Sequence, residues 1–298
     1  MAAKIIAVAN MKGGVGKTST VAMLAEALAA TENARVLVID VDAQANASLV
    51  LAGDAVLTEL IENKQTIDGF LDDYYLGEKK LPLVDCIRRN VSDVSHGAEQ
   101  LSVSLLASSP ELRLLEREIM VALTEKGLGL NAVISRLARL LENQLSKLSR
   151  RFDYIIIDCA PGISAITEAS LRIADLVIVP TIPDFLSTAG LQAFCNSVWK
   201  GSRFGKGVAK EGVQPYVLVT RKRETREHHR FTNEMQNERY KAEPSFKLFK
   251  TQIPERTRIA EALGRTGSEP TFTNKWGPEV LPVLESLAKE TKEAVHGG

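Results

Sequence analysis

Short apolar runs recur along the chain at Ile5–Ala9, Val36–Ile39, Val103–Leu106, Tyr154–Ile157, Leu176–Val179 and Tyr216–Val219. They are rich in β-branched residues and apolar at successive positions, as suits strands covered on both faces. Between the first two runs, Thr18 to Ala30 places Val21, Leu24, Ala25 and Leu28 at helical spacing. Strand, helix and strand thus follow one another within about thirty residues, a βαβ unit whose crossover is expected to be right-handed. The alternation continues to the end of the chain. The pattern predicts an α/β fold, a single doubly wound, mostly parallel sheet flanked by helices, in one domain spanning residues 1–298.

The rhythm is weaker from about 52 to 100, where short helical patches mix with turn-rich pieces such as Ser92–Gly97. Peripheral helices and loops are expected there. Leu112 to Leu148 reads as helix rich in Leu, Arg and Glu, with a long piece from Asn131 ending near Arg150. Gly201–Gly212, rich in Gly and Lys, reads as a mobile loop, and Pro278–Val295 as one amphipathic helix.

Composition narrows the function classes. The chain has 298 residues, with 37 Lys+Arg against 37 Asp+Glu, which excludes a globally basic nucleic-acid binder but leaves room for a local basic face. No apolar run approaches the roughly 20 residues of a membrane-spanning helix. The N-terminus leads straight into Lys4–Ala9, without the layout of a signal peptide. Cys86, Cys159 and Cys195 are far apart and form no C-x-x-C pair, and the four histidines show no ligand spacing. A zinc site or disulfide framework is not expected, and a cytoplasmic location is.

The chemistry concentrates after the first strand, in Asn10-Met11-Lys12-Gly13-Gly14-Val15-Gly16-Lys17-Thr18-Ser19. Glycines let backbone N–H groups turn inward around a polyphosphate, and the following helix adds its N-terminal dipole. Lys17 is placed to reach the β- and γ-phosphates and the Thr18 hydroxyl to ligate Mg²⁺. The general pattern G-x-x-x-x-G-K-[ST] is broken by Met11, so the match rests on the extra lysine, Lys12. Two apolar strands end in acids: Val38-Ile39-Asp40-Val41-Asp42, and Tyr154-Ile155-Ile156-Ile157-Asp158. Ligands bind at the carboxyl edge of parallel sheets, so at least one of Asp40 and Asp42 is expected to face the phosphates. Asp158 suits direct or indirect support of Mg²⁺.

Lys12-Gly13-Gly14-Val15-Gly16-Lys17-Thr18 resembles the deviant Walker A motif of the ParA/MinD family, closest to its ParA/Soj-type partition ATPases. Asp40-Val41-Asp42-Ala43-Gln44-Ala45-Asn46 is similar to that family's D-x-D-P-Q-x-N motif, with Ala43 for the usual Pro and Ala45 for a common Gly. Asp158-Cys159-Ala160-Pro161-Gly162 resembles its Walker B D-x-P-P-S, keeping Asp158 and Pro161. Leu105–Leu112, Val179–Thr181, Leu218–Arg221 and Thr251–Ala262 follow its later landmarks in order. The resemblance implies ATP and Mg²⁺ as cofactors, held by Lys12 to Ser19 and, beside the adenine, by Pro254. It makes Lys17 act in cis, and Lys12 in trans across a nucleotide-sandwich homodimer, as an arginine finger does. Asp42 becomes the residue that activates water, while Thr18, Asp158 and, through water, Asp40 attend the metal.

Between Trp199 and Arg230, nine basic residues face three acidic ones, a local charge of +6. Such clustering is an electrostatic footprint for phosphate backbones. With the resemblance it implies ATP-dependent, non-specific DNA binding through Arg221, Lys222, Arg223, Arg226 and Arg230, with Arg256 and Arg258 joining. The expected function is a partition or positioning ATPase whose slow hydrolysis is stimulated by a ParB-like or cargo-adaptor protein, nucleoid-associated when ATP-bound. Plasmid, chromosome and protein cargo remain open. No helix-turn-helix is evident. A MinD-like membrane ATPase fits less well, because the C-terminal helix is charge-balanced without an aromatic anchor. An iron–sulfur carrier would need bridging cysteines. A nucleotide-gated DNA-binding scaffold with incidental hydrolysis is the non-enzymatic alternative.

Overall fold

The strands buried between two helical layers are continuous in sequence because successive side chains enter different cores. Ile6 and Val8 pack into one buried cluster, Ala7 and Ala9 into the other, and Ile156 is separated in the same way from Ile155 and Ile157. The protein, described here as a computed structural model over residues 2–202, 205–210, 212–264 and 271–297, builds both cores on one eight-stranded sheet. Its strands are β1 (Lys4–Val8), β2 (Val36–Val41), β3 (Ile87–Arg88), β4 (Val103–Leu106), β5 (Tyr154–Cys159), β6 (Leu176–Thr181), β7 (Tyr216–Lys222) and β8 (Lys247–Pro254). They lie in the order β8-β7-β6-β1-β5-β2-β4-β3. All pairings are parallel except the short antiparallel β3–β4 edge.

One face carries α1 (Lys17–Thr31), α2 (Asn46–Glu62), α10 (Thr257–Gly264), α11 (Phe272–Trp276) and α12 (Leu281–His296). The other carries α3 (Ile67–Tyr75), α4 (Leu112–Glu125), α5 (Leu130–Leu148), α6 (Ala165–Ile173) and α8 (Leu191–Trp199). The short α7 (Phe185–Thr188) precedes α8, and α9 (Arg226–Asn237) follows β7. Because α1 is buried almost all round, including Val21 to Ala29, it needs a second layer above it, and α12 supplies one. That use of Leu284, Leu287, Ala288 and Val295 accounts for the amphipathic C-terminal stretch.

Four places differ from the sequence expectation. Strand β8 carried no apolar run because only Phe249 and Ile253 along it are buried. As an edge strand it is instead blocked by the Glu290 carboxylate, which accepts from Lys250 N (2.6 Å) and Thr251 N (2.9 Å). The two-residue β3 is too short to leave a pattern. The 112–148 helix is broken between α4 and α5, where Gly127 adopts a left-handed φ of 82°. Within Gly201–Gly212, expected as a loop, Gly201–Ser202 pairs antiparallel with Gly205–Lys206, while residues 203, 204 and 211 lie outside the described residues. The 52–100 segment lacks clear periodicity because α2 is kinked at Gly53 (φ 74°) and its later parts are one-turn pieces. Even so, Phe70 and Leu71 of α3 and Leu83 sit in the core.

A buried polar clamp ties the C-terminal elements to α1. Lys275 Nζ lies 2.6 Å from Glu26 Oε1, and the Trp276 indole N–H donates to Glu26 Oε2 (2.8 Å). Burial pushes the Glu26 carboxyl up from its ordinary value, while Lys275 and Trp276 pull the other way.

Candidate functional site

The end of β1 is held before the loop begins. Asn10 Nδ2 donates to Pro180 O (2.8 Å) and its Oδ1 accepts from Lys12 N (3.1 Å). Gly14 (φ 74°) and Gly16 (φ 87°) then take left-handed conformations that a side chain would strain. From β7, Thr220 Oγ1 donates to Val15 O (2.7 Å), which fixes the loop against a strand distant in sequence. Helix α1 starts at Lys17 without any side-chain cap. Its first amides and its dipole are therefore available to an anion.

Asp158, at the end of β5, is fully buried beside that helix start. Its Oδ2 accepts from Thr18 Oγ1 (2.8 Å), and its Oδ1 has no protein partner. Burial first, then the neighbouring Asp40, drives its carboxyl well above the usual range. Lys17 is also buried, and desolvation lowers its pKa although Asp158 and Asp42 oppose this. Its Nζ donates to Lys12 O (3.0 Å). Three carboxylates thus face one buried ammonium. That imbalance, with the orphaned Asp158 oxygen next to the Thr18 hydroxyl, fits a hard divalent cation. Mg²⁺ takes only one or two protein ligands and completes its shell with water and phosphate. Accordingly, no group of three His, Cys, Asp or Glu arranged for a metal occurs among the described residues.

Asp40 and Asp42 divide their work differently from a pair of equivalent acids. Both Asp40 oxygens are occupied: Oδ1 accepts from Asp42 N (3.0 Å), and Oδ2 from Ser48 N (2.9 Å) and Ser48 Oγ (2.8 Å). Asp40 thereby staples the turn after β2 and aims Asp42, whose Oδ1 accepts from Gln44 N (3.0 Å), at the cavity. Burial raises the Asp40 carboxyl to about 6. A carboxyl raised in the folded state favours folding when protonated, so stability is lost as pH rises through that value. Without metal, the melting temperature should therefore climb as pH falls through about 6, and the climb should vanish in an Asp40→Asn variant. A melting curve in chelator that is flat across this range would contradict it.

Beside these groups opens a cavity of about 460 Å³, within the range of small-molecule sites. The phosphate loop and Asp42 line one end, and Pro254, Arg256, Ile259 and Leu263 the other. Gly14, Gly16, Lys17, Thr18, Ser19, Asp42 and Pro254 line it directly. Gly13 sits just behind, its Cβ position 3.9 Å from Pro161, and Val15 is buried.

Lys12 stands apart. Its ammonium donates to Ser187 Oγ (2.9 Å) and lies 3.9 Å from Asp184 Oδ1, turned from the cavity that Lys17 serves. Asn10, Ser187 and Thr220 were invisible to motif reading because they meet the loop from elements about 170 to 200 residues away only on folding.

The basic segment is more neutral in space than in sequence. Arg221 (φ 49°) lines the cavity and pairs with Glu255 at 3.1 Å, and Arg223 pairs with the same carboxylate. Lys222 lies 3.6 Å from Glu224, and Arg230 3.6 Å from Glu234. Arg226, the first residue of α9, is exposed and forms no ion pair among the described residues. Arg203 and Glu211, part of the sequence count, lie outside the described residues. Arg256 lines the cavity, and Arg258 lies 3.6 Å from Glu261. All three cysteines are buried, and burial pushes each thiol up, Cys86 to about 12. Cys159 is core packing.

A profile of the family described as "AAA domain" matches residues 3–203. An uncharacterised protein of Pseudomonas putida is 30% identical over 261 residues, covering 87% of this chain and 84% of that protein. The sporulation initiation inhibitor protein Soj of Bacillus subtilis is 30% identical over 195 residues, 65% of this chain and 64% of Soj. The apo structure of McdA from Cyanothece superposes with a TM-score of 0.70 at 20% identity, over 97% of this chain and 99% of that one, a likeness of fold. With the extra lysine at Lys12 in its phosphate loop and these relatives around it, the chain belongs to the ParA/MinD family of P-loop ATPases.

Proposed function

We propose that this protein is an ATP-hydrolysing switch whose Mg²⁺·ATP-bound form is a sandwich homodimer that binds DNA without sequence preference. A ParB-like or cargo-adaptor protein stimulates its otherwise slow turnover, so that plasmid, chromosome or a protein cargo is positioned. The observation that carries the reading is the separation of the two loop lysines. Lys17 is buried within the cavity, whereas the Lys12 ammonium is held outward by Ser187. A cation directed away from its own nucleotide suits a role toward a partner's.

On this reading the α1 amides and Lys17 bind the phosphates, and Pro254 and Ile259 flank the base. Thr18 and Asp158 hold Mg²⁺, which when bound offsets charge on the phosphate oxygens. Asp40 orients Asp42, and the Asp42 carboxylate accepts a proton from the attacking water. Lys12 then stabilises charge developing at the partner's β–γ bridge. Arg226 is the member of the basic segment most available to a DNA phosphate. Use of α12 as a membrane anchor is disfavoured by its apolar side chains being packed inside, and no helix among the described residues is long and apolar enough to cross a membrane.

Light scattering with ATP and Mg²⁺, alongside DNA mobility shifts, tests this reading. Wild type should dimerise with ATP but not ADP, and only the dimer should retain DNA. Lys12→Ala should still bind ATP yet stay monomeric and release DNA. Dimers that persist in Lys12→Ala would sink the trans-lysine reading.

A further inference from the structure

A second concave site lies on the opposite face of the sheet from α1, where α3, α4 and α5 converge. It encloses about 400 Å³ and shares no lining residue with the nucleotide cavity. Lys79, Lys126, Arg136 and Arg139 line it together with Tyr74 and Tyr75, and no carboxylate does. In a chain of net charge zero, four cations around one hollow without a counter-charge repel one another and have a cost that only an anion offsets.

The acids nearest in sequence are turned elsewhere. Asp72 faces Lys64 at 3.9 Å, Asp73 accepts from Leu81 N at 2.8 Å, and Glu78 pairs with Lys80. Lys126, Arg136 and Arg139 form no ion pair among the described residues and are exposed. Lys79 lies 5.1 Å above the Tyr74 ring, a contact that leaves its charge open to a further ligand.

The donors define the ligand. Arg and Lys only donate, and Asn143 at the rim can donate as well. Burial, reinforced by Tyr74, pushes the Tyr75 phenol up to about 12, so it also keeps its proton. An acceptor-rich anion with several charges in a small volume is required. Phosphate supplies that charge density, with Arg forks matched to its oxygens, where single carboxylates do not. The two tyrosine rings, edge-to-face at 5.1 Å, offer an aromatic wall beside the cations, a pairing suited to a base next to its phosphate.

We propose that this α3–α4–α5 hollow is a second anion site, binding a phosphorylated ligand independently of the nucleotide loop. The same chemistry serves a free polyphosphate or nucleotide and the backbone of single-stranded nucleic acid. The experiment uses the full chain with its loop saturated by Mg²⁺·ADP, so that any further binding reports the second site. Tripolyphosphate and an oligothymidylate are titrated separately by calorimetry into wild type and into the Arg136→Glu/Arg139→Glu variant. Both substitutions are on exposed helix positions, and circular dichroism and ADP binding check that the variant is folded.

Wild type should bind at least one probe, with affinity falling as salt rises, and the variant should lose roughly tenfold or more. Binding of tripolyphosphate identifies a free polyphosphate as sufficient. Binding of the oligonucleotide alone identifies the nucleic-acid backbone. If neither probe binds the ADP-loaded protein, or the variant binds as wild type does, the assignment is overturned.

Discussion

An Asp42→Ala variant is expected to bind ATP, dimerise and retain DNA, while ATP turnover falls by roughly 10²–10⁴-fold, the usual contribution of a general base. The expectation rests on the contrast between the two acids after β2. Asp40 has both oxygens committed to the Asp42 and Ser48 amides and the Ser48 hydroxyl, so it is bound to the turn. Asp42 faces the cavity, with only the Gln44 amide on its carboxylate. Removing it should leave the loop, Lys17 and Thr18 in place. Single-turnover and steady-state phosphate release, with dimerisation measured in parallel, separate the outcomes. A variant that no longer dimerises with ATP would show that Asp42 builds the site and does not act in it. Asp40→Ala should behave in that second way, losing nucleotide affinity and stability together.

The second large effect is on stability. Glu26→Ala should cost about 3–5 kcal/mol, the range for breaking a buried pair by removing one partner. The side chains of Lys275 and Glu26 are only 4% and 1% exposed, so the abandoned ammonium cannot recover water without opening the packing of α11 on α1. The Trp276 indole N–H also loses its acceptor. At roughly 2–4 °C per kcal/mol for chains of this order, the melting temperature should drop by about 10 °C. The double variant Glu26→Ala/Lys275→Met should recover much of the loss, because no charge is then stranded. Denaturant melts of both variants decide this, and a single variant within about 1 kcal/mol of wild type would refute it.

Much of the fold was legible because the physics was local and repeated. A strand buried on both faces must be apolar at successive positions, so β1, β2, β4, β5, β6 and β7 announced themselves as runs. Strand β8 did not, since as an edge strand it alternates polar and apolar residues and relies on Glu290 of α12 for its outer amides. The phosphate loop could be read for a related reason. Its glycines answer to backbone conformation at Gly14 and Gly16, and its lysines and threonine must fall at set distances along one turn.

What the sequence determined by itself was therefore the α/β alternation, the glycine-rich loop with its two lysines, and the acids at strand ends. Spacing along the chain is enough to specify each of these. Only the tertiary structure decided how those groups divide their roles in space. It committed Asp40 to the turn, left one Asp158 oxygen without a partner, drew Lys12 outward onto Ser187, and neutralised Arg221 and Arg223 on Glu255. It also gathered Lys79, Lys126, Arg136 and Arg139 into one hollow. These facts depend on partners supplied by other elements, and on which charges folding removes from water, so no window of sequence contains them.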